Sequence, residues 1–66
     1  MTLRELRGVT KERIILIESN PFFENKTFDA HVAKEKEGDY IVTNLYVDYE
    51  EKAIIAEVTH LTYLIE

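Results

Sequence analysis

Asp29 and His31 are the pair whose types and spacing could most directly do chemistry. Two apart on an extended segment, they project to one face, and a carboxylate beside an imidazole can hold a divalent cation. Glu57 and His60 could complete such a site if their strand lay alongside. Two histidines without a spaced ligand motif make a polar strand face rather than a metal centre, so no metal and no cofactor is expected. Ser19 is the sole serine and sits in a turn-forming Ser19-Asn20-Pro21 run with nothing to activate it. With no cysteine and only two glycines, neither a reactive thiol nor a glycine-rich phosphate loop can be assembled. The expectation is a protein without catalytic residues, not an enzyme.

A different pattern carries more weight. Glu37, Asp39, Asp48, Glu50, Glu51, Glu57 and Glu66 crowd the last thirty residues, Glu37 to Glu66, against a single base, Lys52, while Arg4, Arg7, Lys11 and Arg13 gather near the N-terminus. The acids are woven through the most strand-like part of the chain, together with Tyr40, Tyr46, Tyr49 and Tyr63. Carboxylates and phenols fixed on a sheet imitate the negative, stackable surface of a nucleic acid; the same residues also suit an ordinary solvated sheet. Phe22 and Phe23 follow Pro21 in what reads as a loop. There they either fold back to cap the core or stand out as an aromatic anchor for a partner.

Length and charge bound the rest. Sixty-six residues make one domain spanning 1–66, and a chain of this size buries only about 60% of its unfolded surface. Without disulfides, the help must come from its 45% hydrophobic content or from self-association. A net charge of −5 and a pI near 4.9 repel phosphate backbones, so direct nucleic-acid binding is not expected. No run approaches the roughly 18 apolar residues of a membrane span, and the charged start does not read as a signal peptide. A cytoplasmic protein that does not engage membranes is the expectation.

The elements that must position these residues follow from local patterns. Thr2-Leu3-Arg4-Glu5 is a capping box opening at most two turns of helix, with Leu3 and Leu6 on one face and Gly8 as a left-handed stop. Arg13–Glu18, with four consecutive aliphatics, reads as a central strand. From Thr27, alternation puts Phe28, Ala30 and Val32 on one face of a second strand, with Asp29, His31 and Lys34 opposite; Lys36–Asp39 reads as a turn. Tyr40–Tyr49 is a third strand, with Leu45, Val47 and Tyr49 inward, Asn44, Tyr46 and Asp48 outward, and a bulge or bend at Asn44. Ala53–His60 pairs with it as a hairpin, turning Ile54, Ala56 and Val58 inward and Ile55, Glu57 and Thr59 outward. The apolar run Leu61–Ile65 prolongs the last strand, adds a fifth, or forms an arm for a second copy. The predicted fold is α+β: a short N-terminal helix packed on a four-stranded, or with the tail five-stranded, antiparallel sheet. A small β-barrel is the alternative.

The opening Thr2-Leu3-Arg4-Glu5-Leu6, the aliphatic strand Arg13–Ile17 and the closing Ala53-Ile54-Ile55-Ala56-Glu57-Val58 together resemble a known group. They look like the small acidic accessory proteins encoded by phages and conjugative elements of Gram-positive gut and dairy bacteria. The likeness spans roughly residues 2–58. The chain departs from it in two places: a compact Lys36–Asp39 turn stands where that group has a short helix, and the tail from His60 to Glu66 runs past its usual end. The resemblance implies an inhibitor of host defence, anti-CRISPR-like, that occupies the cationic groove in which an effector holds guide RNA or target DNA. The expected partner is therefore a basic nucleic-acid-handling protein of the host cell. Asp48, Glu50, Glu51, Glu57, Glu37 and Asp39 would be the contacting acids, and Tyr46, Phe22 and Phe23 the anchors. The competing reading is a small structural protein that dimerises through its C-terminal strand.

Overall fold

A computed structural model describes residues 1–63. The chain begins as the capping box requires: the Thr2 side chain accepts from the Glu5 N–H at 3.2 Å, and the Thr2 N–H donates to Glu5 Oε1 at 3.0 Å. These bonds satisfy two N–H groups at the start of helix α1 (Leu3–Val9). Bonding to Thr2 holds the Glu5 carboxyl below its usual range. Leu3 and Leu6 point down and are buried. Gly8 is not the stop: it keeps a negative φ, and the helix runs on to Val9 and ends where Thr10 turns extended.

Strands β1 (Ile14–Ser19), β2 (Lys26–Asp29), β3 (Tyr40–Asp48) and β4 (Ala53–His60) form one sheet in the order β2-β1-β4-β3. β1 is central, as its aliphatic run demands. β3 and β4 make the expected hairpin, with a register shift between Val42 and Asn44 that marks a bulge at Thr43. The sheet has two open edges and is not closed into a barrel.

The sheet is mixed rather than wholly antiparallel, because β1 and β4 run parallel, pairing Ile14 with Ile54 through Ser19 with Thr59. The reason lies in residues 30–39. They were expected to prolong a strand and then turn tightly, which would have made every neighbour antiparallel. Instead β2 stops at Asp29, whose side chain caps the His31 N–H, and Ala30–Asp39 coils as 3-10 turns interrupted at Ala33 and Lys36. With three residues per turn, Ala30 and Ala33 fall on one side, and both are buried; Val32 points away and is 68% exposed. Ten residues at about 2 Å each carry the chain back along the length of the sheet. β3 therefore starts in the same direction as β2, and its hairpin partner β4 must lie parallel to β1.

The core sits between one sheet face and this helical layer. Leu3 and Leu6 of α1, with Ala30 and Ala33, pack on Ile14, Leu16, Tyr40, Ala56 and Val58. Two arginines tie the helix to the 3-10 stretch: Arg7 Nε lies 2.9 Å from Glu37 Oε1, and the Arg4 guanidinium lies against Gly38, where an added Cβ would meet it at 3.2 Å. After β4, Leu61–Tyr63 form a single 3-10 turn, so the expected C-terminal strand does not begin there. The remainder of that run, Leu64 and Ile65, lies outside the described residues.

Gly8 is helical, and a Cβ there would meet nothing within 4 Å. Gly8→Ala should therefore stabilise the fold by about 0.5–1 kcal/mol, measured by urea unfolding. A destabilised variant would mean that α1 ends before residue 8.

Candidate functional site

One short helix and one 3-10 crossover cover one face of the sheet and, among the described residues, no element covers the other, the bare face. Strand register fixes what stands on the bare face. Asp29 pairs with Ile15, Ile15 with Ile55, and Ile55 with Tyr46, making one row across all four strands. The next row runs Thr27, Ile17, Glu57, Asn44, and beyond it Ser19, Thr59 and Ile41 align. Ile55 is the floor at 6% exposure, Ile15, Ile17 and Ile41 are half-buried, and Tyr46 rises from an edge strand with 45% of its surface open. The result is a flat aliphatic ground with a phenol at one side and carboxylates set into it.

Glu57 is the central carboxylate, half-buried on the interior strand β4. Its Oε2 accepts from Asn44 Nδ2 at 2.7 Å, and its backbone carbonyl accepts from Thr43 Oγ1 at 3.1 Å, so the bulge residues wrap it. Among the described residues no cation lies within ion-pair reach of Glu57. A side-chain amide orients a carboxylate without neutralising it, so the charge stays available to a visitor.

Arg13, just before β1, is the base at this face, and it is already held. Its Nε lies 2.8 Å from Asp29 Oδ2, and its Nη1 lies 3.9 Å from Glu51 Oε2. Asp29 Oδ1 also accepts from the His31 N–H at 3.2 Å and meets His31 Nδ1 at 2.8 Å. The Arg13 guanidinium, followed by the His31 contacts, holds the Asp29 carboxyl well below the usual carboxylate range.

The other expected contact residues are not all gathered on this face. Asp48 lies on it at the turn end, where its Oδ1 accepts from the N–H groups of Glu50 and Glu51 and shapes the turn. Lys52 closes that turn with φ 53°, the left-handed backbone that lets four residues join β3 to β4. Glu50 and Glu51 are exposed at the rim. Glu37 lies on the helix side, neutralised by Arg7, and Asp39 ends the 3-10 stretch. Tyr49, expected to face inward, sits in the turn and is 86% exposed.

Phe22 and Phe23 stand at the opposite end of the sheet. Their N–H groups both donate to Asn20 Oδ1, which builds the turn, and each ring is 75% exposed, so neither caps the core. Phe22 meets the edge of Tyr63, with centroids 6.1 Å apart. Two contributors were not anticipated: Thr43 and Asn44 as the clamp on Glu57. The β-bulge signal at Asn44 was the clue to both.

The histidines do not converge. His31 starts the 3-10 stretch at the turn end, whereas His60 ends β4 at the far end, stacked edge-on to Tyr40 with Nδ1 accepting from the Thr62 N–H. Among the described residues no group of three or more His, Asp or Glu is close enough to hold a metal ion. Ser19 offers its backbone carbonyl to Thr59 Oγ1. No helix among the described residues is long and apolar enough to cross a membrane. Comparison with family models, curated proteins and solved structures found no match to this chain.

Because the folded-state pKa of Asp29 is depressed, its stabilisation is full above the ordinary Asp range near about pH 4 and is lost as pH falls below it. Asp29→Asn should flatten the fall in unfolding free energy below about pH 4, by no more than about 1 kcal/mol because the pair is solvent-screened. Equal acid slopes for wild type and variant would remove the Arg13–Asp29 pair from the account.

Proposed function

We propose that this protein is a non-catalytic binding module, an inhibitor that engages a basic nucleic-acid-handling protein through its bare sheet face. One observation carries the reading. Glu57 and Asp48 are held at fixed strand positions beside the exposed Tyr46, and the base at that face, Arg13, is already bonded to Asp29. A surface of this kind offers a cationic groove what a nucleic acid offers it: negative charge at defined spacing and an aromatic plane for stacking.

The contact set is narrower than the distribution of acids in the sequence suggested. It comprises Glu57, Tyr46 and Asp48, with Glu50 and Glu51 at the rim. Glu37 is neutralised internally and drops out. The exposed Phe22–Phe23 pair lies at the far end and would serve as a second, separate anchor.

The resemblance to phage- and conjugative-element accessory proteins supports an origin on a mobile element and action in the host cytoplasm. The helical stretch ahead of β3 removes one of the two departures from that group. In this reading the partner is an effector of the anti-CRISPR type of target, whose Lys- and Arg-lined channel normally holds guide RNA or target DNA. The bound protein blocks the channel by occupancy.

The test is competition. Purified CRISPR effectors, each loaded with labelled DNA, are titrated with wild type and with a Glu57→Gln/Tyr46→Ser variant at low and high salt. Displacement by wild type that weakens with salt, and weakens about tenfold or more in the variant, is the expected outcome. Equal displacement by both proteins, or none by wild type, would remove the bare face from the mechanism.

A further inference from the structure

β3 is an edge strand, and past its bulge it lacks the charges and proline that commonly blunt one. From Tyr40 to Val47 it carries no charged residue and no proline. The other edge, β2, is only four residues long and begins with Lys26 and ends with Asp29. The first part of the β3 edge is covered, since Thr2 bridges to Ile41 and the Val42 N–H donates to the Met1 carbonyl at 2.8 Å. Past the bulge no backbone is paired on that side among the described residues. There the Leu45 N–H bonds Asn44 Oδ1 at 2.9 Å instead of a strand. Its outward direction puts the N–H and C=O of Val47, two residues on, on the same open side.

A second observation coincides with this edge. α1 and the 3-10 stretch do not bury the turn end of β3 on the covered face. Leu45 and Val47 are 45% and 53% exposed there. Beside Val47 lies a hollow of about 340 Å³ lined by Val47, Tyr49, Ala53 and Ile54 together with the charged Glu12, Asp48 and Lys52. Unpaired strand edge and apolar hollow together form a receptor for an added strand, main chain to main chain, with alternate side chains over the hollow.

We infer that the occupant is the β3 strand of a second copy, paired antiparallel about a two-fold axis at Tyr46. Self-complementarity selects it. That register sets Leu45 against Val47 of the second copy and Asp48 against its Asn44, so no two charges oppose each other despite a net charge of −5 on each chain. The pairing would cover the exposed Leu45 and Val47, an addition that a 66-residue chain without disulfides can use. It also joins the two sheets into one of eight strands and sets two bare faces side by side. This inference shares Tyr46 and Asp48 with the contact set proposed above, but it rests on the strand edge, and its test at Val47 touches neither residue.

Sedimentation of the full chain across a concentration series, with wild type and Val47→Lys, tests it. Val47 is outside the core, so the lysine should leave the circular dichroism unchanged while placing a charge on the paired edge. The expected result is wild type moving to twice its 7.8 kDa mass as concentration rises, and Val47→Lys requiring about tenfold more protein or more to do so. Amide exchange at Val47 should slow with concentration in wild type only. A wild type that stays monomeric overturns the inference. So does a dimer that Val47→Lys forms equally well, or one that leaves Val47 exchange unchanged, since pairing would then be elsewhere.

Discussion

The parallel alignment of β1 with β4 is the constraint on which the rest of this structure depends. It joins residues 40 apart in sequence along six consecutive positions, and each of the other strands is attached through one of these two. Both central strands supply aliphatic side chains to both faces, so the sheet needs cover on two sides. The chain provides cover for one. Seven residues of α1 and ten of 3-10 turn bury Leu16, Ala56 and Val58, and no further element remains among the described residues to lay over Ile15 and Ile17, which stay half-buried. A bare, half-apolar sheet face is therefore a consequence of length and topology before it is a device for binding.

Charge is divided along the same line. The arginines of the N-terminal segment serve the folded chain: Arg7 pairs with Glu37, Arg4 lies on Gly38, and Arg13 pairs with Asp29. That leaves Glu57 on the bare face with an amide for company. Burial and the nearby Glu18 carboxylate push the Tyr40 phenol up, so this tyrosine belongs to the core and not to any stackable surface. Tyr46 alone among the strand tyrosines stands in the open on the bare face.

Much of this was legible in the sequence where the signal was local. The capping box of Thr2 and Glu5, the inward Leu3 and Leu6, the central Ile14–Ile17 run and the alternation of Ala53–His60 each follow from spacing alone. What escaped depended on a choice between two local signals. Asp29 reads as one more polar strand residue by alternation, but it also caps a helical turn, and Ala30 and Ala33 are spaced for 3-10 geometry. Taking the first signal made the sheet antiparallel throughout. The site was legible by residue type and not by grouping, because register decides which acids share a face. Glu57 and Asp48 do, while Glu37 is drawn to Arg7 on the other side.

The most direct test of the one-covered-face architecture is methyl NMR with a soluble paramagnetic relaxation agent. Ile15, Ile17 and Ile41 methyls should broaden strongly as the agent is added, while those of Leu3, Leu6 and Leu16 should stay sharp. Uniform protection of both sets, in a sample verified as monomeric, would contradict the account, because the second face would then be covered from within the chain.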